Sequence, residues 1–225
     1  MVGEGGGRAA LDVGCGTGRQ SIPLALLGWR VTAVDINDGH LERIRARAER
    51  QKVPLDVERC DMRALAVRYH GVYDLVVCCL TLDHLLTDGE IGRALHGMWT
   101  ALRPGGQCYL RLDDLEHLLR SRPRYAFREE RRVPHGRVIR LEDWEYQGEN
   151  HVVCRTVFLH EDDRRPGNRW HTDVFSYRRR ALRRADLCEL LGAAGFEEIE
   201  LLPQDIPGGY YEVLARRPEP PESTG

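Results

Sequence analysis

The sequence predicts an α/β fold: a doubly wound, mostly parallel sheet with an antiparallel β insertion late in the chain. Three observations support this. Short apolar runs of strand length alternate with helix-length amphipathic stretches through the first half. A glycine turn, Gly14-x-Gly16-x-Gly18, follows directly on the first apolar run. From about Arg124 to Tyr177 helix spacing gives way to β-rich pieces separated by turns such as "DDRRPGN".

The elements follow in order. "RAALDV" reads as a first strand and "GRQSIPLALLG" as a helix stopped by Gly28. "WRVTAVDI" reads as a buried strand. "GHLERIRARAERQ" sets Leu41, Ile44 and Ala48 on one helix face. "PLDVERC" is a third strand. "YDLVVCCLTL" is a fourth, apolar enough to be buried on both faces of a parallel sheet. The next helix opens with a capping box, Thr87 and Glu90. It carries Ile91, Leu95, Met98 and Leu102 on one face and ends at Arg103-Pro104-Gly105-Gly106. "QCYLRL" is a fifth strand. "GRVIRLEDWEYQG", "NHVVCRTVFLH" and "RWHTDVFSY" read as antiparallel hairpins. A last helix sets Leu187, Leu190, Leu191 and Ala194 on one face and ends at Gly195, and the strands "FEEIELL" and "GYYEVLAR" follow.

The 225 residues suit one domain with a substantial core, so 1–225 is expected to be a single domain. Within it, 124–177 is expected to be an antiparallel insertion covering the active site, and 218–225 a flexible tail. A net charge of −2 gives no overall field for nucleic acid or membrane. Of the 33 basic residues only Lys52 is lysine, a chain-wide bias that discounts local arginine clusters as phosphate sites. The basic run "SRPRYAFREERRVPHGRVIR" is therefore expected to be a solvated face. Seven cysteines form no C-x-x-C pair and several sit in apolar runs, as small buried hydrophobes of a reducing compartment. "MVGEGGGR" has no apolar signal segment and no apolar run approaches a membrane span, so a cytoplasmic location is expected. Histidines 40, 70, 96, 117, 135, 151, 160 and 171 lack an H-x-x-x-H spacing, and no metal is expected.

A strand, a glycine turn and a helix place backbone N–H groups and a helix start at a strand's carboxyl end, where such sheets bind ligands. A dinucleotide calls for G-x-G-x-x-G, and here the third glycine comes one residue early. Asp35 ends the second strand, where an acid can take ribose hydroxyls. Asp35 and Asp61 could also simply cap turns, and Met62 could be core filler.

"LDVGCGTG" resembles the first motif of class I S-adenosylmethionine-dependent methyltransferases. Asp35, the "CysAspMet" of 60–62 after strand three, "RPGG" before strand five and the closing helix and strand hairpin fall in that family's order. The resemblance implies a Rossmann-like sheet with its last strand antiparallel. It implies S-adenosylmethionine as cofactor and S-adenosylhomocysteine as product. Cofactor contacts would come from Asp12, Gly14, Cys15, Gly16, Gly18, Gln20, Asp35, Ile36, Asp61, Met62, Cys79 and Leu80. "LTLDHLL", "WEYQG" and "PGGYYEVLARR" are similar to the glycine/sarcosine N-methyltransferase-like small-molecule branch. That branch often places a substrate-binding arginine after strand five. Asp113 stands there instead, which would suit an amine-bearing substrate, with Arg111 two residues away. Trp144, Trp170, Tyr210 and Tyr211 are candidate substrate contacts.

Methyl transfer from a sulfonium is an in-line displacement that needs an oriented nucleophile and modest proton transfer. His84, after strand four, is the candidate base or orienting donor. Asp83 would hold the substrate or the imidazole. The expected partner is a small-molecule acceptor, an amine nitrogen first and oxygen next, with carbon or tRNA methylation as rivals. No nucleic acid or membrane partner is expected, and homo-oligomerisation stays open. A non-catalytic donor-binding module and an NAD-dependent oxidoreductase are the readings from other classes.

Overall fold

The computed structural model describes residues 5–165, 167–203 and 209–221. The chain divides into two compact units, 1–114 with 183–225, and 115–182. Of the expected tail, 222–225 lie outside the described residues.

The first unit holds strands β1 (Ala9–Val13), β2 (Arg30–Asp35), β3 (Asp56–Arg59), β4 (Tyr73–Cys79) and β5 (Leu102–Asp113). The closing pair is β10 (Glu197–Leu201) and β11 (Tyr210–Arg216). They form one sheet in the order β10-β11-β5-β4-β1-β2-β3. β1 pairs in parallel with both β2 and β4, and β11 runs antiparallel to β5. This is the mostly parallel Rossmann-like sheet expected. β1 is buried at every position, as a central strand covered on both faces must be. The order reverses beside β1, and such a switch point opens a crevice at the strands' carboxyl ends.

Helices α1 (Ser21–Leu26), α2 (Asp38–Gln51), α3 (Leu65–Arg68), α4 (Asp88–Ala101) and α6 (Arg184–Ala193) belong to this unit. The buried residues of α2 are Leu41, Ile44 and Ala48, the stripe set by its spacing. The capping box of α4 forms, with a shift. The Thr87 hydroxyl accepts the Glu90 N–H, while the Glu90 carboxylate accepts the N–H of Leu86. "RPGG" departs from expectation. It lies inside β5 rather than ending a helix, and the β4–β5 register shifts between Tyr73 and Leu75. Gly105 N–H donates to the Arg217 carbonyl, so this stretch is held by the chain's far end.

The second unit holds a short helix, α5 (Leu115–Ser121), which local spacing did not reveal. It also holds an antiparallel sheet of β6 (Tyr125–Val133), β7 (Gly136–Gln147), β8 (His151–Glu161) and β9 (Trp170–Arg180), in that order. The basic run, residues 121–140, forms β6, an edge strand with most residues exposed, and the start of β7, whose residues Gly136–Arg140 are half-buried. Charge on an edge strand opposes pairing with other chains. Trp144, Val152 and Cys154 form this unit's core, with Leu118, Leu119 and Tyr146 packed against them. Among the described residues no helix is long and apolar enough to cross a membrane.

Candidate active site

The glycine turn leaves β1 with Gly14 and Cys15 N–H both donating to the Val34 carbonyl, which ties the loop to β2. Gly14, Gly16 and Gly18 all have positive φ. Their surroundings differ. A Cβ on Gly18 would stand 2.7 Å from Ile44 of α2, so that glycine seats a helix. A Cβ on Gly16 would meet nothing within 4 Å. There the backbone faces open space and can lie against a ligand.

Asp35 closes β2. Its Oδ2 accepts the Gly16 N–H at 2.8 Å and its Oδ1 accepts the Asn37 N–H at 2.9 Å. A carboxylate has about four lone-pair sites, so two remain for ligand hydroxyls. His40 Nδ1 lies 3.5 Å from Asp35 Oδ2. Asp61 follows β3 and is gripped by Arg63, whose Nη2 reaches Oδ2 at 2.6 Å while Nη1 reaches Glu90 at 2.6 Å. The Arg63 hydrogen bonds hold the Asp61 carboxyl below its ordinary value, so it stays an acceptor.

After β4 the chain turns at Leu80, a non-glycine residue at φ 58°. Such a conformation persists where its surroundings over-determine it. Here the Leu80 N–H donates to the Arg111 carbonyl at 2.7 Å. Thr81 Oγ1 donates toward the carbonyls of Gly14 and Cys79, joining the glycine turn to the end of β4. A 3-10 turn, Leu82–His84, follows. On β5 the Arg111 guanidinium sits 3.2 Å over the Tyr210 ring, with Nε 3.6 Å from Glu212.

These parts surround one cavity of about 940 Å³. Of the residues singled out from the sequence, Gly14, Cys15, Gly16, Gln20, Asp35, Ile36, Asp61, Met62, Cys79, Leu80, His84, Arg111 and Tyr210 line it. Asp12 and Gly18 do not. Asp12 is 1% exposed and accepts a short hydrogen bond from the Ser21 hydroxyl. Burial pushes its carboxyl up to about 6, against the lowering pull of Ser21. Asp83, also 1% exposed, and Tyr211 are buried and outside the lining. Asp113 pairs with Tyr210 on the neighbouring strand and is outside it too. Trp144 belongs to the second unit's core, and Trp170 lies under the Arg137 guanidinium in the same unit.

The lining also contains Thr17, Arg19, Asn37, His40, Cys60, Arg63, Thr81 and Leu85, which sequence reasoning passed over. Asn37 and His40 had a local signal. Asn37 caps α2 by accepting the His40 N–H, so a cap directly after the acid of β2 sets a histidine beside that acid. Burial pushes the Cys79 thiol up to about 12 and raises that of Cys15 as well. Both thiols are neutral near pH 7.

Residues 10–106 match the family model described as a methyltransferase domain. That stretch of the chain is similar to methyltransferase domains. A ubiquinone biosynthesis O-methyltransferase of Azotobacter vinelandii is 35% identical over 103 residues, 46% of this chain and 43% of that protein. An S-adenosyl-L-methionine-dependent Diels-Alderase of Talaromyces variabilis, iccD, is 34% identical over 104 residues, 45% of this chain and 35% of that protein. The chain thus spans less than half the length of these curated relatives. Among solved structures, CalS10, an amino pentose methyltransferase from Micromonospora echinaspora bound to S-adenosylmethionine, gives a TM-score of 0.74 at 20% identity. The match covers 94% of this chain and 84% of that one. A methyltransferase from Clostridium acetobutylicum gives 0.74 at 15% identity, over 93% and 84%. At these identities the likeness is one of fold.

Proposed function

We propose that the chain transfers the methyl group of S-adenosylmethionine to a small molecule, with an amine nitrogen as the first choice of acceptor and an oxygen next. One observation carries the reading. A single cavity joins an open glycine backbone at Gly16, the braced Asp35 carboxylate and a rim of His84, Arg111 and Tyr210. The residues fit the cofactor. Gly14, Cys15, Gly16 and Gln20 would hold its amino-acid part, Asp35 the ribose, Asp61 and Met62 the adenine, with Cys79 and Leu80 beside them. When bound it supplies a methyl group on a positively charged sulfur.

The chain's own residues then have two tasks. His84 accepts the proton that the acceptor's nitrogen sheds, and Arg111 stacked on Tyr210 forms a stiff wall that orients the acceptor. Asp83, buried on the same turn as His84, positions that turn rather than touching the acceptor. Cys15 and Cys79 stay neutral, so neither thiol competes for the methyl group. The nitrogen preference also draws on CalS10, whose substrate is an amino sugar by name. The curated O-methyltransferase keeps oxygen second, and iccD is the precedent for a donor-bound protein with another outcome.

Calorimetry with S-adenosylmethionine, S-adenosylhomocysteine and NAD tests the cofactor. Binding of NAD alone would overturn the reading. A panel of small amines and phenols, followed by release of S-adenosylhomocysteine, tests the acceptor. Donor binding with no turnover on any acceptor would leave a binding module instead of a transferase.

A further inference from the structure

The second unit carries a cluster of its own on the β8–β9 pair. β8 and β9 pair in unbroken antiparallel register from His151–Arg180 to Glu161–Trp170, and His160 stands directly opposite His171. Residues directly opposed across strands share a face, as do residues two apart on one strand. His160, His171 and Asp173 therefore project to the same side. The two imidazoles stack with centroids 4.7 Å apart and planes 12° from parallel. His160 Nε2 lies 3.1 Å from Asp173 Oδ2, close but without hydrogen-bond alignment. His160 Nε2 and His171 Nδ1 are buried nitrogens with no hydrogen-bond partner. One ligand atom from each of the three residues lies within 4.8 Å of the other two.

We propose that His160, His171 and Asp173 bind a divalent first-row transition-metal ion of the Zn²⁺ type. Two imidazole nitrogens and one carboxylate oxygen suit such an ion, whereas Mg²⁺ and Ca²⁺ favour all-oxygen sets. Zinc with nitrogen ligands at about 2.0–2.1 Å sets neighbouring donors roughly 3.3 Å apart in a tetrahedron. Closing from within 4.8 Å to that spacing would require the stacked imidazoles to rotate out of their parallel arrangement, and water would complete the shell. A metal would also occupy the two ring nitrogens that lack hydrogen-bond partners. Phe158, opposite Asp173, and Phe175, two residues beyond it, lie on the same face and pack edge-to-face at 6.0 Å. They wall the cluster with apolar surface on one side. The bound ion would clip β8 to β9 beside the turn that joins them. H-x-x-x-H spacing searches one helix for ligand pairs. This pair is made by strand register between residues 160 and 171.

The test uses untagged, full-length, metal-stripped protein titrated with Zn²⁺ and, separately, Mg²⁺. One Zn²⁺ should bind per chain and raise the unfolding temperature, with no matching effect of Mg²⁺. His160→Gln and His171→Gln should each weaken Zn²⁺ binding by roughly 10- to 100-fold, the loss seen even for outer partners of metal sites. If a histidine variant fails to fold, Asp173→Asn, at a half-exposed side chain, carries the same test with a smaller loss. X-ray absorption at the zinc edge should give nitrogen and oxygen neighbours. The proposal is overturned by the absence of saturable binding, by unchanged affinity in the variants that fold, or by sulfur in the zinc shell.

Discussion

Gly16 and Gly18 have the same residue type and the same sign of φ, yet their alanine variants should fail in different ways. At Gly18, φ is +80° and the new methyl would stand 2.7 Å and 2.8 Å from the Ile44 side chain, which is itself fully buried. Left-handed backbone with a Cβ costs about 1–2 kcal/mol. Overpacking a tight core adds about 1–3 kcal/mol. The sum, roughly 2–5 kcal/mol, corresponds to a fall in Tm of about 4–20 °C for a protein of this size. At Gly16, φ is +52° and the methyl meets nothing within 4 Å. Only the backbone term of about 1–2 kcal/mol applies to stability. The methyl instead enters the open space in which the cofactor is proposed to lie against the loop, so affinity for S-adenosylhomocysteine should fall by at least about tenfold, or 1.4 kcal/mol. Thermal melts and calorimetry on both variants decide the matter. An equal loss of Tm in the two, or a Gly16→Ala protein that binds S-adenosylhomocysteine like the parent, would refute the division of labour in the loop.

Asp35→Asn should weaken S-adenosylhomocysteine binding by about 10- to 100-fold, since hydrogen bonds to a charged group contribute about 1.5–3 kcal/mol; equal affinity in a titration would remove Asp35 from the ribose role. Asp12 makes stability depend on pH. Burial raises its folded-state value from 3.8 to about 6, so its favourable contribution is complete below about pH 4 and is lost as pH rises toward 6, by about 3 kcal/mol in all. Denaturant melts across that window should show this slope in the parent and not in Asp12→Asn, and identical slopes would contradict it. His84→Gln should lower kcat by about 10²- to 10⁴-fold, the usual worth of general acid–base catalysis, with donor affinity unchanged. A parallel loss of donor affinity would make His84 structural.

Much of the fold is legible because its causes are local. The stripe of Leu41, Ile44 and Ala48 is a helical period, and α2 buries those three residues. The Thr87–Glu90 box marks the start of α4. Positive φ at Gly14, Gly16 and Gly18 is the conformation their residue type permits most readily. The failures are non-local. "RPGG" looks like a helix stop, but its backbone bonds to Arg217 at the other end of the chain and it joins β5. Asp12 sits in the motif beside the ligand turn, yet its carboxylate turns to Ser21. Arg111 and Asp113 share a strand face, but only Arg111 lines the cavity.

By itself the sequence determined the alternation of strand and helix, the glycine turn and the acids that end the second and third strands. Each depends on residues within a few positions of one another, where side-chain periodicity and backbone sterics act. Tertiary structure alone decided which strand lies beside which and that Gly16, unlike Gly14 and Gly18, faces open space. It also brought His40 to Asp35 and His160 to His171. Those outcomes depend on register and packing between distant segments, and no local spacing encodes them.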